Sequence, residues 1–206
     1  SDNLQALSLN SIVQHYLVLL AGAHLDRDGY KYLCQIVESR SLLSLLAKER
    51  NGAFEQGLTP WARNLSTLSA SASPEDIFNA AAPALQDLSP LLESLDFQIR
   101  NLDYERGPSD RDKIRSVLGI AARELGAFQV SKQFPNVLSE YVSSRFDIEH
   151  IEPKSTINRI TWGDPADTRY VNSIGNLTLV YKSDNRGAGD AKPALKAGIY
   201  AQSEVL

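Results

Sequence analysis

The stretch DIEHIEP at residues 147–153, together with LTLVY at residues 177–181, decides the fold of the last third of the chain. Each is a short segment with β-branched residues, and proline closes the first, so each predicts a β-strand. Two such strands in succession imply a hairpin. Beyond a polar loop, Leu195 and Ile199 stand four positions apart within residues 191–202 and predict a helix. The predicted order is therefore strand, long loop, strand, loop, helix.

The residues before this segment are predicted to be almost entirely helical. The clearest helix lies between residues 114 and 125, where apolar residues keep helical spacing for three turns. Ser73 before Pro74 provides an N-cap and a first-turn proline, and therefore indicates where another helix begins. We expect a mainly α protein with a small α+β element, in which a helical bundle platform at residues 1–140 precedes a ββα motif at residues 141–206.

Composition and charge exclude several classes of protein. The chain has 206 residues, of which 43% are apolar and 22% charged, so disordered and fibrous proteins are excluded. A formal net charge of −4 argues against a protein that coats nucleic acid through bulk electrostatics. The longest apolar run, residues 16–23, is shorter than the roughly 20 residues that a membrane helix needs. With no secretory signal and only Cys34 as a thiol, we expect a cytoplasmic protein that spans no membrane.

One of the three histidines differs from the others in its surroundings. His15 lies beside the apolar stripe of a predicted helix and His24 lies in the turn that follows, so both are interpreted as structural. His150 comes directly after Glu149 inside a predicted strand, which fixes a titratable base and a carboxylate on one rigid element. A Glu-His pair by itself is more often structural than catalytic, so its interpretation depends on the residues that follow.

The residues that follow His150 form a specific pattern, because Asn176 and Asn185 come next on the predicted ββα frame. This pattern resembles the HNH (His-Me finger) nuclease domain of the GmrSD-type, modification-dependent restriction endonucleases. It is also similar to the C-terminal nuclease of related phage-defence proteins that sense phosphorothioate DNA. The matching positions are DIEHIEP at 147–153, Trp162, GNLTL at 175–179, Asn185, Lys196, Tyr200 and Ser203. The resemblance implies a ββα-metal fold for residues 141–206.

The resemblance also implies a role for the residues that match. His150 is the expected general base, because an imidazole that titrates at about pH 6.5 can take a proton from water at neutral pH. Glu149 and Asn185 are the expected ligands of one Mg²⁺ (or Mn²⁺), an ion that prefers oxygen ligands. Asn176 is expected to orient the loop and strand that position His150, since its amide can hold backbone groups in place.

Strand alternation leaves the ligand set open. A regular strand sends Glu149 and His150 to opposite faces, so a common site needs a bulge or a strand end at these residues. If the strand is regular, Asp147 shares a face with Glu149 and becomes a second candidate ligand. Three basic residues are expected to meet the phosphates of DNA, and the last of them matches a family position: Arg186, Lys192 and Lys196.

These expectations lead to two hypotheses of different classes. In the first, the chain is a metal-dependent DNA endonuclease or nickase domain of a bacterial anti-phage restriction protein, and it cuts phage or foreign DNA. In the alternative, it is a non-catalytic regulatory module that binds DNA or a partner through a degenerate HNH motif. The complete set of His150, Asn176 and Asn185 favours the enzyme.

The chain is expected to be part of a longer protein. It contains no methionine, even at position 1, and it stops at Leu206, whereas the family usually continues with another helix. Asp190 stands where family members tend to carry asparagine. No nucleotide-binding loop is found in the sequence. We therefore expect a truncated C-terminus and an N-terminal sensor or NTPase domain that is missing from this chain.

Overall fold

The computed structural model describes residues 13–126, 138–154, 170–183, 185 and 193–202, without the side chains at 126, 138–139, 193 and 199–202. Contacts divide the chain into two compact units, the first ending at Ile99 and the second beginning at Arg100. The described residues are mostly helical and contain one two-stranded antiparallel sheet, which confirms the predicted class of a mainly α protein with a small β element. No helix in these ranges is long and apolar enough to cross a membrane.

The first unit is built from helices. They are α1 (Tyr16–Ala21), α2 (Arg27–Leu46), α3 (Asn51–Ser66), α4 (Pro74–Ala80), α5 (Ala82–Leu85) and α6 (Ser89–Arg100). Ser73 caps α4 as predicted, because its hydroxyl accepts a hydrogen bond from the Asp76 N–H at 3.1 Å while the Asp76 carboxylate accepts one from the Ser73 N–H. The helices bury Trp61, Leu33 and Leu65, so this unit has an apolar core of its own.

Both histidines of the first unit have structural surroundings. His15 is almost fully buried beside α1, and burial lowers its pKa because the protein interior disfavours the charged imidazolium. The ring nitrogens of His24 lie 3.1 Å from the carbonyl oxygen of Ala21 and 3.0 Å from that of Leu68. These contacts agree with the structural interpretation of both residues.

The second unit joins helices to the sheet. Its elements are α7 (Pro108–Gly126), α8 (Leu138–Tyr141), β1 (Phe146–His150), a 3₁₀ turn (Ile174–Asn176), β2 (Leu177–Tyr181) and α9 (Pro193–Gln202). The two strands pair without interruption, from Phe146 opposite Tyr181 to His150 opposite Leu177. In the middle of the ladder, Ile148 and Leu179 pack into one core with Ile114 of α7. One face of the sheet is therefore buried against helix α7.

The boundary between the compact units differs from the position at which the sequence pattern changes. The pattern of apolar residues places the change from platform to nuclease motif at residue 140, whereas the contacts place their boundary at residues 99 and 100. Helix α7 causes the difference, because its buried residues Ile114 and Ala122 pack in the core of the sheet. Periodicity identifies a helix but does not show which neighbour its apolar face contacts. The functional division into 1–140 and 141–206 stays a prediction.

Candidate active site

The strand β1 is regular, and this decides which residues share a face of the sheet. Side chains of paired residues lie on the same face and alternate along the strand. Phe146, Ile148 and His150 therefore face one side, while Asp147 and Glu149 face the other. His150 is the last residue of the strand, so the strand end that a common site requires is present.

His150 is held on two sides by residues from two separate loops. Its Nε2 lies 3.0 Å from Oδ1 of Asn172, and the ring of Tyr104 packs edge-on against it with 5.0 Å between the ring centroids. Burial lowers the pKa of His150; the hydrogen bond with Asn172 acts against this effect, and nearby Lys154 adds to it. A lowered pKa keeps the imidazole neutral near pH 7, which is the state that accepts a proton.

The residues behind Asn172 form a chain of polar contacts. Lys154 donates a hydrogen bond of 2.6 Å from Nζ to the Glu105 carboxylate. This bond and the positive charge of Lys154 lower the pKa of Glu105, and the nearby Asn172 side chain contributes in the same direction. The backbone N–H of Tyr104 donates to the carbonyl of Asn172 at 3.0 Å. The loop around residue 104 is thereby joined to the loop that carries Asn172.

Asn176 holds the chain that leaves β1. Its side-chain oxygen accepts a hydrogen bond from the Glu152 N–H at 2.9 Å, and its amide donates to the carbonyls of Glu152 at 3.1 Å and Val171 at 2.9 Å. Its own carbonyl accepts from the Ile151 N–H at 2.9 Å. Both residues that follow His150 are therefore tied to Asn176, as a positioning residue would require.

Replacing Asn176 by alanine should lower the free energy of unfolding of the second unit by about 1–3 kcal/mol, because three backbone groups lose their side-chain partner. Urea unfolding followed by circular dichroism measures this loss. Asn176→Asp is the matched variant, since it keeps an acceptor for the Glu152 N–H but cannot donate to the two carbonyls. A loss below about 0.5 kcal/mol in Asn176→Ala would contradict the positioning role, since surface changes have effects of that size.

The opposite face of the sheet carries carboxylate and amide side chains and one buried ammonium group. Asn185 donates from Nδ2 to the Asp147 carboxylate at 3.3 Å, so its side-chain carbonyl is not used in this bond. Lys196 of α9 donates to the carboxylate of Glu149 and, at 2.8 Å, to the carbonyl of His150. The Lys196 side chain is 1% exposed and that of Glu149 is 14% exposed. Helix α9 is therefore linked to β1 through a largely buried ion pair.

The donor set on this face fits a hard divalent cation. Two carboxylates, Asp147 and Glu149, stand two positions apart on one strand face, and Asn185 adds an amide oxygen beside Asp147. Mg²⁺ binds through one or two carboxylates and keeps several waters, so these three residues have suitable chemistry. Among the described residues, no group of three or more His, Cys, Asp or Glu side chains is arranged to hold a metal. The candidate set has two carboxylates and one amide, so it contains only two side chains of these four types.

Some of the residues named from the sequence are brought together, and others lie outside the described ranges. The structure assembles Glu149, His150 and Lys196 at the end of β1, and Asn185, which follows β2, is hydrogen-bonded to Asp147 of β1. Residues outside the described ranges are Trp162, Arg186, Asp190, Lys192 and Ser203. Lys196 was expected at the DNA phosphates, but in this structure its ammonium group contacts Glu149.

Sequence analysis missed three residues that contact His150 or its neighbours: Tyr104, Glu105 and Asn172. Tyr104 and Glu105 precede His150 by more than forty positions and belong to no recognised motif. Asn172 precedes Asn176 by four residues, and its position just before the GNLTL segment is the one signal that could have indicated it. Tertiary contact between loops, rather than local pattern, brings these residues to the histidine.

The comparisons with known proteins agree with this geometry. Residues 93–206 match the model of the family described as GmrSD restriction endonucleases, C-terminal domain. The match spans more than half of the chain and includes α7, both strands and α9. It confirms the resemblance that the motif predicted. No curated protein and no solved structure matches the chain.

Proposed function

Because the chain belongs to the family of C-terminal domains of GmrSD restriction endonucleases, we propose that it is a metal-dependent DNA endonuclease or nickase module. Membership makes it a nuclease module related to restriction endonucleases; the metal, the HNH chemistry and the residue roles are parts of the proposal. The observation that carries it is the placement of His150, which Asn172 holds at the end of a strand whose other face presents the carboxylates of Asp147 and Glu149. Burial lowers the pKa of this imidazole, as suits a base.

His150 acts as the general base in this proposal. Its neutral imidazole takes a proton from the attacking water, and Asn176 holds the two residues that follow it so that the ring keeps its position. Glu149 and Asn185 are the ligands that the resemblance implies for Mg²⁺ (or Mn²⁺), and strand alternation adds Asp147. When bound, the ion supplies positive charge that stabilises the phosphoryl oxygens and the departing oxygen.

Basic residues near the site are proposed to bind DNA phosphates. Arg186 and Lys192 keep this role, since both stand close in sequence to Asn185 and to α9. Lys196 is better suited to neutralise Glu149, because it is buried and donates to that carboxylate. A phosphate contact from Lys196 would require this ion pair to open first.

The proposal is tested by incubating the chain with supercoiled plasmid and Mg²⁺ or Mn²⁺. Conversion of supercoiled to open-circular or linear DNA is the expected result, and EDTA should stop it. The assay separates nicking from double-strand cleavage by the form of the product. Absence of cleavage with both ions, in a chain that is folded by circular dichroism, would contradict the enzymatic function.

We expect this chain to bind DNA weakly, without sequence or modification preference and with a shallow salt dependence. Each phosphate contact contributes about 0.9 to the slope of log affinity against log salt, and few basic residues surround the site of an acidic chain. Titration of matched modified and unmodified duplexes at several salt concentrations measures both quantities. A preference above about tenfold, or roughly 1.4 kcal/mol, would show that these residues contain the sensor.

Recognition of modified or foreign DNA is therefore assigned to another part of the protein. The proposed partners are phage or foreign DNA and an N-terminal sensor or NTPase domain that is not in this chain, with action in the cytoplasm. A nucleotide requirement would reside in that domain. Adding nucleotide to this chain alone is expected to leave its DNA binding unchanged.

A non-catalytic regulatory module is the second candidate, and one observation favours it. Lys196 already neutralises Glu149, so a cation that uses this carboxylate has to displace a buried ammonium group. In a degenerate site, the ion pair would be permanent and would only join α9 to β1. Binding of Mn²⁺ to the folded chain distinguishes the two candidates, because only the enzyme requires it.

A further inference from the structure

We propose that Asn172 fixes His150 in the tautomer that carries its proton on Nε2, so that Nδ1 is the nitrogen that accepts the proton from water. Asn172 is a positioning residue, since it acts through the histidine. The last step of this inference rests on the proposed nuclease function. The tautomer itself is a property of the folded chain and can be measured without any cleavage.

The first step concerns the orientation of the Asn172 amide. The structure directs the amide oxygen, Oδ1, to the ring of His150, with 3.0 Å between this oxygen and Nε2. The Glu105 carboxylate, ionised in its pair with Lys154, attracts the NH₂ group of a nearby amide rather than its oxygen, which agrees with this orientation.

The second step follows from the first. Asn172 presents Oδ1 to His150 at hydrogen-bond distance from Nε2. A carbonyl oxygen only accepts, so Nε2 of His150 must be the donor. A neutral imidazole has one N–H, and Nδ1 is then left with the lone pair that a general base needs.

The loops that carry these residues are fixed to each other. Asp103 and Ser173 form an antiparallel β-bridge, and the Tyr104 N–H donates to the carbonyl of Asn172 at 3.0 Å. Tyr104 also packs edge-on against His150. Because the backbone on both sides is hydrogen-bonded, Asn172 can keep the imidazole in one orientation.

In the proposed hydrolysis, every proton and every bond to phosphorus is accounted for. A water proton moves to Nδ1, and the ring becomes an imidazolium whose Nε2–H still donates to Asn172. The hydroxide oxygen forms a bond to phosphorus while the bond from phosphorus to the leaving oxygen breaks. The leaving oxygen takes a proton from solvent, and the ring returns its proton to water before the next turnover.

The test is ¹⁵N-histidine NMR, which distinguishes a protonated from an unprotonated ring nitrogen. Three histidines give few signals, and His150→Gln identifies those of His150. Spectra are recorded at about pH 8.5, two units above the ordinary histidine pKa, where the rings are neutral. We expect the His150 signals to show a proton on Nε2 and none on Nδ1.

Variants of the positioning residue provide the comparison. Asn172→Ala should give a mixture of both tautomers, whereas Asn172→Asp, which keeps an acceptor oxygen, should keep the Nε2–H form. The exposed Asn79→Ala is the matched control and should leave the His150 signals unchanged. Asn172→Ala should also lower kcat of plasmid nicking by about ten- to a hundredfold, with KM little changed.

A proton on Nδ1 in the unmodified chain would overturn the proposal, and so would an unaltered tautomer in Asn172→Ala. Neither result depends on cleavage. If the chain shows the Nε2–H form but no variant or ion gives cleavage, the proposed function fails while the tautomer assignment stands. If cleavage occurs and Asn172→Ala retains its full kcat, the positioning role is wrong and the nuclease function stands.

Discussion

Replacing His150 by alanine should lower the rate of Mg²⁺-dependent plasmid nicking by about a hundredfold or more, since a general base contributes about 10²–10⁴ to the rate. The residue is the end of a strand that pairs through backbone groups, so the ladder from Phe146 to His150 does not need the imidazole. Circular dichroism and the melting curve should therefore change little. Rates of supercoiled plasmid loss under single-turnover conditions measure the effect.

Two further variants test whether the loss of activity comes from the loss of the base. His150→Gln can still donate to Asn172 but cannot take a proton in the reaction, so it should be as inactive as His150→Ala. His24→Ala is the matched control, because His24 is an exposed histidine in the first unit. Cleavage by His150→Ala within about tenfold of the unmodified chain would contradict the general-base role, because a hundredfold loss is the least expected.

The elements of the second unit could be predicted from local patterns. Apolar spacing indicated α7, β-branched segments indicated both strands, and the regular strand left Asp147 as a second candidate ligand. Each of these features is encoded by residues close together in sequence. The candidate site is different, because 22 positions separate His150 from Asn172 and 49 separate Lys154 from Glu105. The periodicity of a sequence does not show which loops contact each other.

Helix α9 shows that helical spacing does not identify the buried face of a helix. The sequence analysis placed a helix there from the spacing of Leu195 and Ile199. In the structure Leu195 is 68% exposed, while Lys196 is 1% exposed and contacts Glu149. The ion pair and the bond to the His150 carbonyl determine the orientation of the helix. Charge complementarity across separate elements is invisible to a hydrophobic pattern.

This buried pair also changes how the metal ligands must be tested. Glu149→Ala removes the partner of a buried ammonium group, and breaking such a pair typically costs about 3–5 kcal/mol of stability. Weak activity in Glu149→Ala would then have two explanations, which are lost stability and lost metal binding. Glu149→Ala combined with Lys196→Met removes both charges, so it should recover most of the lost stability. Thermal unfolding of the single and double variants checks this expectation.

With stability restored, the double variant should still bind Mn²⁺ more weakly than the unmodified chain, because it lacks a carboxylate ligand. Lys196→Met alone should bind Mn²⁺ more tightly, since Glu149 is no longer engaged by an ammonium group. Asn185→Ala should weaken binding, and excess Mg²⁺ or Mn²⁺ should partly restore its nicking rate. Isothermal titration measures affinity apart from catalysis. If Asp147→Ala shows a defect that metal restores and the double variant does not, the ligand is Asp147, and Glu149 serves only to hold Lys196 and α9 against the strand.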